Sequence, residues 1–354
     1  MCPLAASDND VGTLEVTEKC DDGCWDEYIH AHPSASGYHQ IAWRRILEDS
    51  FGHRTIYLTV EDQLGEVRGV LPLVCMSSRL FGCFLISLPF FNYGGVLADD
   101  HRVQNLLLEA AVRVAKDLKA EHIELRQTEL LDLGWSQKQH KVSMRLELPS
   151  DFDTLWKCFP SKLRSQVRRA QKAGMTVYVA GEELLDDFYQ VFSRNMRDLG
   201  TPVYGKEFFK SILHTFPKEA KICTVSLEGK PLAVGFLYGF REMLEIPWAS
   251  SDRRFAGLAP NMLLYSSVLE YACRSGFRMF DFGRSTVASG TYRFKEQWGA
   301  RPLPLFWYYW LDHSGPLPEL NPQNPKYSLA ISLWRRLPIP LTRIIGPHIA
   351  RHLP

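Results

Sequence analysis

A chain of 354 residues has room for two domains, each with a core of its own. Its 45% apolar and 23% charged residues are those of a globular protein, and a net charge of +1 excludes a bulk field that would draw the whole molecule onto nucleic acid or acidic lipid. Eight scattered cysteines read as reduced thiols rather than a disulfide scaffold. Cys20 and Cys24 with His30 and His32 have a spacing that no common zinc finger uses, so no metal is expected.

In chain order, the first fifteen residues hold Asp8, Asp10 and Glu15 without an apolar run, so no secretory leader is expected and residues 1–24 read as poorly ordered. Tyr38 to Leu47 has the apolar recurrence of an amphipathic helix. Strands follow at Thr55 to Val60 and Val67 to Val74, with a turn at Gly65 between them. The apolar stretch Leu80 to Phe91 contains Gly82 and Pro89 and is too short to span a bilayer, which takes about 20 residues. A helix opening at Leu106-Leu107 leads into the strand Ile123 to Arg126. From Pro149 a helix is predicted as far as about Lys172, ended by Gly174.

The second half repeats this order. Tyr204 to Leu213 answers Tyr38 to Leu47, with the tyrosine and the Ile-Leu pair at the same spacing. Ala220 to Leu227, a Gly229-Lys230 turn and Leu232 to Phe240 answer the first hairpin. Ile246-Pro247-Trp248 echoes Leu88-Pro89-Phe90, and Leu263-Leu264 opens a helix leading to the strand Phe280 to Gly283. Each half reads helix, antiparallel strands, helix, strand, which is an α/β (α+β) domain with a mixed sheet. The predicted division is a first lobe over 25–150, a second over 151–310 carrying the site, and a Pro-rich linker with a basic, aliphatic tail over 311–354.

Four stretches could carry chemistry. In Phe280-Asp281-Phe282-Gly283-Arg284-Ser285 a strand ends in a glycine turn, where ligands bind in open α/β sheets. Asp281 there is a candidate general base or a structural acid, with Glu245 the second candidate base. The kinase-like Asp-Phe-Gly lacks a catalytic loop, and the hydrolase-like Gly283-x-Ser285 fails because Val287 stands where the second glycine belongs. In Tyr292-Arg-Phe294-Lys295-Glu-Gln-Trp298 a lysine sits among aromatics, suited to stabilising the oxyanion formed when an amine attacks a carbonyl. Tyr292, Phe294 and Trp298 would wall that site, with Arg284, Ser285, Trp248 and Asn261 as further substrate contacts. Arg164, Arg168 and Lys172 repeat every four residues, a basic helical stripe able to meet phosphates or simply a solvated face. Arg254, Gly257 and Ala259 fit the loop with which acetyltransferases hold the pyrophosphate of coenzyme A, although Pro260 removes one amide.

Pro160 to Gly174, Asn195 to Pro202, Pro260 to Tyr265, Phe280 to Ser285 and Tyr292 to Gly299 together resemble the FemAB-like proteins, closest to the branch associated with PEP-CTERM/exosortase exopolysaccharide systems. The resemblance spans about residues 25 to 310 and implies a tandem duplication of the GNAT (acyl-CoA N-acyltransferase-like) fold. It further implies transfer of an aminoacyl group from tRNA to an amine of an envelope precursor, with no metal, and a functional Phe-Lys pair at Phe294 and Lys295. The first lobe has no such pair and reads as the non-catalytic half. The family's helical-arm insertion is absent, and its first-lobe contacts to a nucleotide-sugar precursor have no counterpart in this chain. Two other functions stay open: a GNAT-type enzyme using acyl-CoA, and a non-catalytic scaffold of an exopolysaccharide system. The tail from Lys326 to Pro354 has five cations and no acid and suits either an anionic membrane surface, at the inner face, or docking back on the body; the protein reads as cytoplasmic.

Overall fold

The computed structural model describes residues 13–78, 82–313, 315, 317 and 325–353. Residues 1–12 and most of the proline-rich segment, including Pro316, Pro318 and Pro322, lie outside the described residues. The first half runs β1 (Glu15–Thr17), α1 (Asp22–Ala31), α2 (Ala42–Phe51), β2 (Arg54–Glu61), β3 (Val67–Ser78), β4 (Gly82–Ile86), β5 (Leu97–Ala98), α3 (His101–Asp117), β6 (His122–Gln127) and β7 (Ser136–Glu147). The second runs α4 (Phe152–Cys158), α5 (Ser161–Lys172), β8 (Thr176–Ala180), α6 (Leu185–Leu199), α7 (Lys206–Thr215), β9 (Ala220–Leu227), β10 (Lys230–Phe240), β11 (Met243–Ser251), α8 (Pro260–Arg274), β12 (Met279–Thr286), α9 (Gly290–Glu296) and β13 (Arg301–Leu311). Two helices close the chain, α10 (Pro325–Trp334) and α11 (Ile339–Ala350).

The strands form one sheet in the order β1-β2-β3-β4-β6-β13-β7-β12-β11-β10-β9-β8, with β5 pairing β3. The duplication is visible in that order, because β2-β3-β4-β6 is matched by β9-β10-β11-β12. The last strand of each half has crossed over: β7 pairs β12 of the second lobe, and β13 pairs β6 of the first. The two exchanged strands pair with each other at the centre, which fuses the lobes into a single sheet.

Helices cover both faces. On one, α2 and α7 from opposite lobes meet around Trp43, Phe51, Phe208 and Phe209, all buried. Aromatic side chains carry much of this contact, each removing a large apolar area from water and pairing at tilted angles with its neighbours. On the other face, α3 packs on the first lobe, and α5 with α8 on the second.

Two expectations change, and one open choice is decided. The single helix predicted from Pro149 is two, α4 and α5, because Pro160 lacks an amide hydrogen and holds Phe159 extended at φ −70°, ψ 142°. Order begins before residue 25, since Glu15–Thr17 adds an edge strand to β2. Of the two readings of the tail, α11 takes docking on the body: Thr342, Gly346 and Ala350 are buried against α6 and the loop after it, and His53 Nε2 contacts the Arg351 carbonyl at 2.6 Å. Among the described residues, no helix is long and apolar enough to cross a membrane.

Candidate active site

In the second lobe β11 and β12 pair in parallel over three residues only, ending at Glu245 opposite Asp281. Beyond that point β11 keeps β10 and β12 keeps β7, so their facing edges part and leave a split in the sheet. The register of β12 against β7 shifts at this place, between Asp281 and Arg284, and Gly283 turns the chain at φ 76°, a conformation costly for any residue with a Cβ.

Lys295 occupies the mouth of the split. Its ammonium donates to the carbonyls of Gly283 at 2.8 Å and Arg284 at 2.9 Å, and the side chain is 7% exposed. Neighbours in and just after the short helix α9 hold it there: Phe294 packs edge-on to Tyr265, and Trp298 edge-on to Phe159. Desolvation pulls the Lys295 pKa down to about 8, opposed by the carboxylates of Asp281 and Glu245 and reinforced by Arg284. With two of its three N–H groups on the turn, the ammonium keeps one for a ligand.

Behind this turn lies a buried acid pair. Asp281 is fully buried and receives Ser143 Oγ at 2.6 Å, the Gly283 amide at 2.7 Å, Arg145 Nε at 3.0 Å and Tyr93 OH at 3.2 Å. Glu245 Oε1 accepts from Asn92 Nδ2 and its Oε2 is paired with Tyr93 OH, each at 3.0 Å. Burial first, then the Asp281 charge, push its carboxyl up to about 8. The proton count agrees. Tyr93 has one hydroxyl hydrogen for two carboxylates, so a neutral Glu245 that donates to Tyr93 lets Tyr93 donate to Asp281. Asp281, facing Arg145, carries the charge.

Asn92 and Tyr93 come from the other lobe, on the loop after β4. That loop also closes the first lobe's own split: the Ser87 amide bonds the Glu124 carbonyl, and the Gly94 amide the Arg126 carbonyl. Arg126, 2% exposed, fills the remaining space with Nε on Glu124 and a terminal nitrogen on the Phe91 carbonyl, both at 2.7 Å. Leu88 and Phe90 take positive φ values of 53° and 74° to make the loop fit, a strain of about 1–3 kcal/mol each. Among the described residues, the open split is the second lobe's.

On the sheet surface beyond the turn, Arg284 projects over the Trp307 ring at 5.1 Å, and Arg126 lies 4.6 Å from the same ring. His140 meets Trp307 edge-on, Lys138 lies over Tyr309, and Lys141 donates to Thr286 Oγ1. Although Arg284 is solvent-accessible along its length, crowding by the protein and then by Arg126 pull its pKa down to about 10. Desolvation and neighbouring cations also lower Lys141 and His140. Glu124, already paired with Arg126, is the acid that faces this group. The arrangement is an electropositive, aromatic surface contiguous with Lys295 through Arg284.

The remaining candidates are distributed as follows. Tyr292 is half-buried beside the second-lobe core, and Ser285 is buried with an unpartnered Oγ. Trp248, on β11 just beyond Glu245, packs edge-on against Phe209 in the inter-lobe core. Arg164 and Arg168 line α5, Arg168 over Trp156, with the Arg164 Nε buried and unpartnered. Asn261 is half-buried at the start of α8. In the loop before α8, Arg254 is tied to Asp252 through contacts down to 2.6 Å, the Gly257 carbonyl accepts from Arg169, and Ala259 turns at φ 59°. Asn92, Tyr93, Arg126, Arg145 and Trp307 were not anticipated. The signal for the loop was Asn92-Tyr93-Gly94-Gly95, a polar break directly after an apolar run.

A split parallel pair, a glycine turn on its second strand and a helix N-terminus after its first match a known domain. Residues 159–296 match the family described as an acetyltransferase (GNAT) domain. FemX superposes with a TM-score of 0.65 at 17% identity, over 83% of this chain and 97% of its own. L-PGS from Bacillus licheniformis gives 0.53 at 14% identity, over 96% and 99%. A tandem GNAT protein from the clavulanic acid biosynthesis pathway, solved without AcCoA, gives 0.53 at 13%, over 86% and 100%. No curated protein matches the sequence. The fold is a tandem GNAT, as expected, with a GNAT-type acyltransferase domain in its second half. At these identities the solved structures speak for the fold alone.

Proposed function

We propose that the chain is an N-acyltransferase that moves an aminoacyl group from an ester donor onto an amine of a phosphate-bearing envelope or exopolysaccharide precursor. The observation that carries the reading is Lys295, a buried ammonium at the open end of the β11–β12 split with one N–H unused. The amine nitrogen attacks the acyl carbon, and charge gathers on the carbonyl oxygen beside Lys295. The C–O bond to the donor then breaks, and the amine's proton leaves with the departing oxygen. Asp281, with its oxygens occupied, fixes the turn rather than taking that proton, and Glu245 holds the neutral partner position. Arg284, exposed over the Trp307 ring, meets the precursor's phosphate. The resemblance to FemAB-like proteins of exopolysaccharide systems supports the acceptor class.

The donor is read from two places. The loop at Arg254, Gly257 and Ala259 has its arginine and the Gly257 carbonyl engaged and a proline at the first position of α8, which weighs against a coenzyme A pyrophosphate. The α5 stripe of Arg164 and Arg168 suits the backbone of an aminoacyl-tRNA. Incubating the protein with an amine-bearing phosphorylated acceptor and either aminoacyl-tRNA or acetyl-CoA, then weighing the acceptor by mass spectrometry, tests this. An aminoacyl mass gain that weakens steeply with salt is expected. Gain from acetyl-CoA alone would select the acyl-CoA reading, and no gain from either would leave a binding protein.

A further inference from the structure

We infer that α10 and α11 form a docking surface for an anionic lipid bilayer, independently of the transfer chemistry proposed above. A helix that covers a protein normally turns its large aliphatic side chains inward. In α11 small residues take the inner face. Thr342, Gly346 and Ala350, one turn apart, are buried against α6 and the loop after it, where Gly346 approaches so closely that an added Cβ would lie 3.0 Å from Val203. Ile344 stands on the opposite face at 67% exposure, and Leu341, Ile345 and Ile349 stay partly exposed along the flanks, at 39%, 37% and 36%. In α10, Leu329 and Leu333 are 67% and 56% exposed. Of the eleven large apolar residues exposed in the described chain, these six fall within one stretch of 21 residues, 329–349. A concentration of that kind marks an interaction surface.

Charge decides the occupant. Residues 326–354 carry five cations and no acid, and the whole chain is +1, so the rest of the molecule is −4. A second copy of this chain would set two such basic tails against each other if the same surfaces met. Arg336 is exposed between the two apolar stripes, where an anionic headgroup would lie. Pro338 and Pro340 separate α10 from α11, which lets two short helices lie in one interface rather than span it.

The test is flotation of the full chain with vesicles of phosphatidylcholine alone, or of phosphatidylcholine mixed with phosphatidylglycerol. Binding to the mixed vesicles and not the neutral ones is expected, weakening as salt screens the headgroups. Replacing Ile344 and Ile345 together by Ser should lower vesicle affinity about tenfold or more. Arg336→Glu should weaken binding to the anionic vesicles. Because these side chains face outward, both variants should keep their melting temperature and their transfer to a soluble acceptor, so failure here is separable from failure of the enzymatic reading. Absence of flotation at every composition would overturn the proposal. So would a dimer in sedimentation velocity that the Ile344/Ile345 variant dissociates while its flotation is unchanged.

Discussion

Glu245→Gln isolates the buried acid pair without disturbing its shape. Glutamine reproduces the neutral carboxyl: its oxygen accepts from Asn92, and its amide donates to Tyr93, which donates on to Asp281. The native carboxyl is raised from its ordinary 4.5 to about 8, so between those values the folded state holds a proton that the unfolded state has released. The sign follows: stability from this group is complete below about pH 4.5 and is lost as pH rises through about 8. The slope approaches about 1.4 kcal/mol per pH unit, so between pH 5.5 and 7.5 the native protein should lose roughly 2 kcal/mol relative to the variant. Taking the difference cancels the histidines, which titrate identically in both proteins. Urea denaturation of the two proteins at matched pH values measures it. A difference that does not change across this range would show that Glu245 is ionised in the fold, and the proton assignment would be wrong.

Asp281→Asn should cost about 2–4 kcal/mol, because it puts a neutral amide where Ser143, the Gly283 amide and the half-buried Arg145 converge on a buried carboxylate, while transfer persists at a temperature where the variant stays folded. Loss of turnover without loss of stability, by thermal melt and assay together, would instead make Asp281 the base. Arg126→Ala should cost a similar amount, about 3–5 kcal/mol, since Glu124 loses its ion-pair partner and the first lobe's split loses its filling; chemical denaturation measures it. Arg284→Ala should raise KM for a phosphorylated acceptor and leave kcat and the KM for an unphosphorylated amine nearly unchanged.

The parts of the fold legible in the sequence were those whose partners are near in the chain. The hairpins at Gly65 and Gly229 and the strand–turn–helix from Phe280 to Trp298 announce themselves through turn residues and alternating apolar positions. Lys295 was visible because its helix follows its turn directly. The exchange of β7 and β13 was not, because nothing in either strand's composition says which lobe it joins. Tyr93 and Glu245 meet across 152 positions, and no local pattern records such a pairing. Arg126 read as an ordinary strand residue in Ile123 to Arg126, and its role appears only once the loop carrying Phe91 is folded over it. Pro160 was overridden in the sequence reading by the helical periodicity on either side, although it was a sufficient local signal for the break.

Lys295→Met bears most directly on the whole account, because methionine keeps the length and apolar stem of the side chain and removes only the charge. Single-turnover transfer should fall by about 10²–10³, equivalent to about 3–4 kcal/mol, with the fold intact. In the native protein the rate should decline as pH rises through about 8, where the ammonium loses its proton, and this decline should be missing in the variant. A Lys295→Met protein that turns over at near-native rate, or that retains the same alkaline decline, would contradict the account.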